Sequence, residues 1–162
     1  NCTNIPDTNF EYKLINLGYD DILDGKTSTN NINVVNFLDV SGWSISDLTG
    51  IEAFTSLTEF NCSYNQLTSL NVNSNTALTY LDCSNNQING LQLNFNTALT
   101  SFNCQDNQLI SLDIRNGNNT NVFIFNAYSN PNLTCISVDE PSWSDQNWQN
   151  IDVQHYFSAN CQ

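Results

Sequence analysis

Three consecutive 21-residue segments of this chain align almost letter for letter: Leu57–Ala77 (LTEFNCSYNQLTSLNVNSNTA), Leu78–Ala98 (LTYLDCSNNQINGLQLNFNTA) and Leu99–Asn119 (LTSFNCQDNQLISLDIRNGNN). Counted from the leading Leu as position zero, apolar residues or Cys recur at positions 0, 3, 5, 10, 13 and 15. Asn recurs at position 8 as Asn65, Asn86 and Asn107. Such a period constrains the fold more than any local propensity. One unit has an apolar side that it cannot bury alone, so successive units must stack.

Degenerate copies flank the three. Val35, Leu38, Val40, Ile45 and Leu48 keep the pattern, with a 22-residue step to Leu57. Val122, Phe125, Ala127 and Asn130 restart it, and an extra residue at Asn130–Pro131 moves the later apolar positions to Leu133, Ile136 and Val138. The expectation is one repeat solenoid of about five coils. Positions 3 and 5 point inward from a short strand in each coil, the intervening residues point outward, and the strands form a parallel sheet. The convex side is expected to be mostly irregular. Asn65, Asn86, Asn107 and Asn130 are expected to bond backbone groups where each strand turns, as a ladder through the stack.

The domain divides into an N-terminal cap (1–34), the repeats (35–138) and a C-terminal cap (139–162). Thr8-Asn9-Phe10-Glu11 fits a capping box, Phe10, Leu14 and Leu17 are spaced for one helical face, and Gly18 is a plausible stop. Cys62, Cys83 and Cys104 all occupy position 5. Stacked strands bring their Cα atoms to about 4.8 Å, but parallel side chains keep the Cβ atoms too far apart for a bridge. They read as buried reduced thiols, and with no histidine beside the column no metal site is expected. Cys135 and Cys161 bracket a segment holding Trp143, Trp148, Tyr156 and Phe157. A disulfide locking this cap is the preferred reading, and it implies an oxidising compartment. Cys2 is left over, either free or paired outside this sequence.

Three Lys and Arg residues face sixteen Asp and Glu, a formal charge of −13. Nothing here neutralises a phosphate backbone or adheres to an anionic bilayer, so neither nucleic acid nor membrane insertion is expected. No run approaches the roughly 18 apolar residues of a membrane span. The first residue is Asn1 and no basic and apolar leader stands before it, which suggests a processed or trimmed product.

The 21-residue Cys-containing unit resembles the internalin-J-like class of bacterial leucine-rich repeats. The chain is more closely similar to repeat proteins secreted by Bacteroidetes: IPDTNFEYKLINLGYD resembles their N-terminal cap, SDLTGIEAFTSLT their first repeat, and NPNLTCISVDEPSW with NWQNID their closing cap. The resemblance implies a leucine-rich-repeat fold, a secreted or cell-surface location with type IX secretion, and recognition or adhesion. It supplies no catalytic residues, and the C-terminal sorting domain many such proteins carry does not follow Gln162.

No residues are assigned to catalysis and no cofactor is expected. His155 is the only histidine, and GxSxG, HExxH, P-loop and dinucleotide patterns are all lacking. Asp20-Asp21-Ile22-Leu23-Asp24-Gly25 loosely follows a calcium loop, but Ile22 stands at a ligand position, so a turn is expected. The outward strand positions, 2, 4 and 6 with 7 at the rim, are the candidate ligand face. They carry Phe37, Asp39, Glu59, Asn61, Tyr64, Tyr80, Asp82, Asn103, Asp106, Asn126 and Tyr128, joined by Ser41, Ser63, Ser84, Ser101, Gln105, Ile124. This face would measure about 19 Å across five strands. Aromatics among amides and carboxylates suit a protein partner, or alternatively a polysaccharide, bound by a monomer. A passive spacer is the third reading.

Overall fold

A computed structural model describes residues 1–161. In chain order it contains β1 (Cys2–Asn4), α1 (Thr8–Asn16), β2 (Lys26–Ser28), α2 (Thr29–Ile32), β3 (Phe37–Asp39), β4 (Glu59–Asn61), β5 (Tyr80–Asp82) and β6 (Gly90–Gln92). After these come β7 (Ser101–Asn103), β8 (Ser111–Asp113), β9 (Ile124–Asn126), β10 (Cys135–Ser137), α3 (Pro141–Asn147) and β11 (Tyr156–Ser158). Short 3-10 turns lie at Ile51–Ala53 and Asn119–Asn121.

Strands β3, β4, β5, β7 and β9 form a five-stranded parallel sheet, one strand per coil. Its register follows the repeat: Leu38 pairs with Phe60, Phe60 with Leu81, Leu81 with Phe102 and Phe102 with Phe125. These position-3 side chains are buried, together with Leu57, Leu78 and Leu99 at position 0 and the Cys62, Cys83, Cys104 column at position 5. The three thiols are free. Parallel sheets around a stacked apolar core make this a leucine-rich-repeat solenoid.

The opposite side is more regular than expected. β6, β8, β10 and β11 form a second, four-stranded parallel sheet, with Leu91, Leu112 and Ile136 side by side inside it. The difference has a simple origin. Leu91 and Leu112 at position 13 are flanked by Gly90, Gln92, Ser111 and Asp113, residue types that carry little strand preference, and the stack imposes the extended conformation on them.

Side-chain amides hold the turns. Asn86 donates through Nδ2 to the carbonyls of Cys62, Cys83 and Ser84, while its Oδ1 accepts the Leu67 N–H. Asn65, Asn107 and Asn130 repeat the arrangement. A second ladder runs at position 18: Asn75 donates to the Ile51 and Phe54 carbonyls, and Asn96 to those of Val72 and Asn75. At position 1, the hydroxyls of Thr58, Thr79 and Thr100 each bond the carbonyl one coil back. Position 7 takes the left-handed conformation in every coil, at Gly42, Tyr64, Asn85, Asp106 and Ser129.

At the N-terminal end, α1 starts differently from the capping-box reading. Asp7, not Thr8, is the N-cap, and its Oδ1 accepts the N–H groups of Asn9 and Phe10. Its Oδ2 accepts from the backbone of Ser46 and Asp47 and from the Ser46 hydroxyl, tying the helix to the first coil. Glu11 turns away from the cap, because its Oε1 accepts three successive N–H groups from Asp24, Gly25 and Lys26. These bonds fold the Asp20–Gly25 segment against the helix. Gly18, at φ 79°, closes α1 with bonds from Gly18 N–H to Ile15 O and from Tyr19 N–H to Leu14 O, the Schellman pattern. Phe10 and Leu14 are buried while Leu17, the C-cap residue, is exposed.

At the other end, Trp148 stacks on Phe125 with ring centroids 4.1 Å apart, and its Nε1 donates to the Val122 carbonyl. Phe157 meets both rings edge-on. The disulfide Cys135–Cys161 joins β10 to the end of the described chain.

Candidate functional site

The outward side chains of the five-stranded sheet divide into two classes. At position 4, Asp39, Asn61, Asp82, Asn103 and Asn126 are all half-buried. Each curls its Oδ1 back onto the N–H two residues ahead, at Ser41, Ser63, Ser84, Gln105 and Tyr128. This row caps the strand ends, and Asn or Asp is the residue type that makes such a turn. Lateral bonds reinforce it: Asn103 Nδ2 donates to Asp82 Oδ2, and Asn126 Nδ2 to Gln105 Oε1. Ser63 and Ser84, expected on the open face, are buried because the bend after the strand draws them inward.

The second class is free of structural duty. Phe37 (58% exposed), Tyr64 (64%) and Tyr128 (58%) present their rings to solvent, and the exposed Glu59 and Asp106 stand among them. Tyr80 is half-buried; burial raises the pKa of its hydroxyl, and the adjacent Asp82 carboxylate adds to the rise. Ile124 is also exposed on β9, beside Phe123 at 80%. Phe123 escaped the sequence reading although it occupies position 1, where the three preceding coils carry Thr. An aromatic in a threonine column was the available signal.

The face is electrostatically one-sided. Lys13 belongs to α1 and lies 5.0 Å from the centroid of Trp43, Lys26 belongs to β2, and Arg115 pairs with Asp113 beside the second sheet. The guanidinium, bonding the Asp113 side chain, holds that carboxyl below its ordinary pKa. Among the described residues no basic side chain therefore pairs with Asp39, Glu59, Asp82 or Asp106.

The histidine and the three thiols of the repeats are enclosed. His155 is buried, with Nδ1 accepting the Asp152 N–H and Nε2 at 3.3 Å from the Asn130 carbonyl. Burial pushes the thiols of Cys62, Cys83 and Cys104 well up from the usual range, which keeps them uncharged and unreactive. Among the described residues no group of three or more His, Cys, Asp or Glu side chains is placed to hold a metal ion. No described helix is long and apolar enough to cross a membrane.

No protein-family model and no curated protein matches the chain. Among solved structures it is similar to the functional domain of InlJ from Listeria monocytogenes, described as including a cysteine ladder. That match has 27% identity and a TM-score of 0.70 over 96% of this chain and 37% of the other. It is also similar to the internalin InlF from Listeria monocytogenes, with 20% identity and a TM-score of 0.67 over 91% of this chain and 42% of the other. The chain thus spans less than half the length of either of those solved chains.

Proposed function

We propose that this chain is a non-catalytic recognition module of a secreted or surface-displayed protein, and that it binds a basic protein partner through the free positions of the five-stranded sheet. The observation that carries the reading is the combination of exposed rings, Phe37, Tyr64 and Tyr128, with carboxylates that no basic side chain among the described residues pairs with. Exposed aromatics on a rigid sheet supply contact area at small entropic cost. Unneutralised charge steers an oppositely charged surface towards them. The internalin-like fold supports a binding role, and the Cys135–Cys161 disulfide supports an oxidising compartment.

The test compares two double variants of equal net charge. Glu59→Gln with Asp106→Asn alters the sheet face, and Glu140→Gln with Asp145→Asn alters exposed carboxylates elsewhere. Binding of a deca-arginine peptide at low salt is expected to weaken about fivefold in the first pair and to stay within about twofold in the second. Equal losses would mean that only total charge matters and would overturn the assignment. Retention of a neutral polysaccharide at high salt, lost in Tyr80→Ala and Tyr128→Ala, would replace the protein reading by a carbohydrate one.

A further inference from the structure

Where the sheet meets the C-terminal cap there is a recess of about 280 Å³ lined by Tyr128, Ser129, Pro131, Asp152 and Gln154. We propose that it is an anchor pocket for one cationic side chain, arginine or lysine, of the partner. The proposal rests on the reading of the face as a protein-binding surface and names the group that docks at its end.

The recess is built around a fixed negative charge. The Asp152 side chain is only 15% exposed. Its Oδ1 accepts the Ser129 N–H at 3.0 Å and its Oδ2 the Asn130 N–H at 2.8 Å. These bonds hold the carboxylate without neutralising it. The one nearby nitrogen base is His155, with Nε2 at 3.4 Å from Oδ2. Its Nδ1 accepts the Asp152 N–H and its Nε2 also lies 3.3 Å from the Asn130 carbonyl, so backbone groups hold the ring on both sides.

The walls suit a long side chain with a charged tip. Tyr128 and Pro131 are exposed residues of the lining and offer apolar surface to a methylene stem. The Tyr128 ring presents a face on which a guanidinium or ammonium group can rest. Gln154 closes the far side, its Nε2 turned towards the carbonyls of Asn130 and Pro131. Asp106 stands one coil back, outside the lining, with its N–H donating to the Tyr128 carbonyl. Asn130 ties the two sides together: its side-chain amide donates to the Ala127 carbonyl, its N–H to Asp152 Oδ2, and its carbonyl accepts from Gln154 Nε2, so little ordering entropy is lost on docking.

The experiment is a titration of the intact chain with N-acetyl-arginine amide, followed by amide NMR shifts, against N-acetyl-citrulline amide, which has the same shape without the charge. Saturable shifts are expected at the Ser129 and Asn130 N–H groups and the Gln154 side-chain amide, at least about tenfold weaker for citrulline. They should be lost in Tyr128→Ala, which changes an exposed side chain; unshifted Trp148 resonances would show the fold intact. Asp152→Asn is the less clean variant because that carboxylate caps two backbone groups. Equal shifts from both amides, or shifts centred elsewhere, overturn the pocket. The two readings also separate. A deca-arginine peptide that shifts Glu59 and Tyr80 but leaves the recess unmoved overturns the pocket and spares the face. Arginine amide filling the recess while the peptide leaves the Glu59 and Tyr80 rows unmoved upholds the pocket and removes the face.

Discussion

Asn65 and Asn86 occupy the same position of adjacent coils, yet replacing each by Ala should cost very different amounts. The reason is how many backbone groups lose their last partner. In Asn86→Ala, the Cys62 carbonyl keeps Asn65, the Cys83 carbonyl keeps Asn107, and the Ser84 carbonyl keeps the Tyr64 N–H. Only the Leu67 N–H is orphaned. In Asn65→Ala, the Cys62 and Ser63 carbonyls keep Asn86 and the Gly42 N–H. The buried Ile45 N–H, the Val40 carbonyl and the half-buried Trp43 N–H all lose their partner. Each orphaned buried group costs about 1–3 kcal/mol. Asn86→Ala should therefore lose about 1–3 kcal/mol, and Asn65→Ala, with two further groups orphaned and one of them only half-buried, about 2–4 kcal/mol more. The cavity left behind is the same in both and cancels. At about 2–4 °C per kcal/mol for a domain of this size, the gap corresponds to about 4–16 °C in Tm, readable by thermal and urea unfolding followed by circular dichroism. Equal destabilisation would refute the accounting and point to volume, not hydrogen bonding, as what the ladder supplies.

Three further outcomes are expected. The Asp7 carboxyl is raised by burial but lowered further by the N–H groups of Ser46, Phe10 and Asp47 and the Ser46 hydroxyl, so its net folded pKa lies below the unfolded value. Its contribution, about 1–2 kcal/mol as a cap, is present above the unfolded value and lost as pH falls through the folded one. Asp7→Ala should therefore weaken the fold at pH 7 and match the parent under strongly acidic conditions, in urea titrations at each pH. Native alkylation read by mass spectrometry should label Cys2 alone, while unfolding without reductant should release Cys62, Cys83 and Cys104 as well; native labelling of the buried column would contradict its packing. Tyr64 holds φ 54° with its ring in solvent, so Tyr64→Asn should stabilise the fold by about 0.5–1 kcal/mol, and a loss of stability would mean the ring packs after all.

The parallel sheet, its inward residues and the first Asn ladder were legible because burial and recurrence both mark them: Phe60, Leu81 and Phe102, or Asn65, Asn86 and Asn107, leave no other placement. The same recurrence marks Asn75 and Asn96, which went unread because position 18 lies outside any apolar pattern. The face was only half legible. Alternation correctly sends Asp39, Asn61 and Asp82 outward, but strand periodicity says nothing about a short side chain bending back to cap its own turn. Which outward side chains stay free was set by that competition, not by direction alone. The second sheet was illegible because Gly90, Ser111 and Tyr156 share no strand signature; the neighbouring coil decides their conformation.

The doubly held carbonyls of the interior coils have an evolutionary corollary. Cys62 O and Cys83 O each receive amides from two successive coils, so excising or duplicating one 21-residue unit rejoins the same donors to the same acceptors. Lengths of 22 or 23 residues occur only in the outermost steps, between Phe37 and Glu59 and between Ser101 and Ile124. The array can thus be lengthened or shortened from its middle by unequal recombination with no interface to redesign, while its two ends stay unique. Reach along the stack is therefore set by the number of units and not by any contact that a change in that number would break.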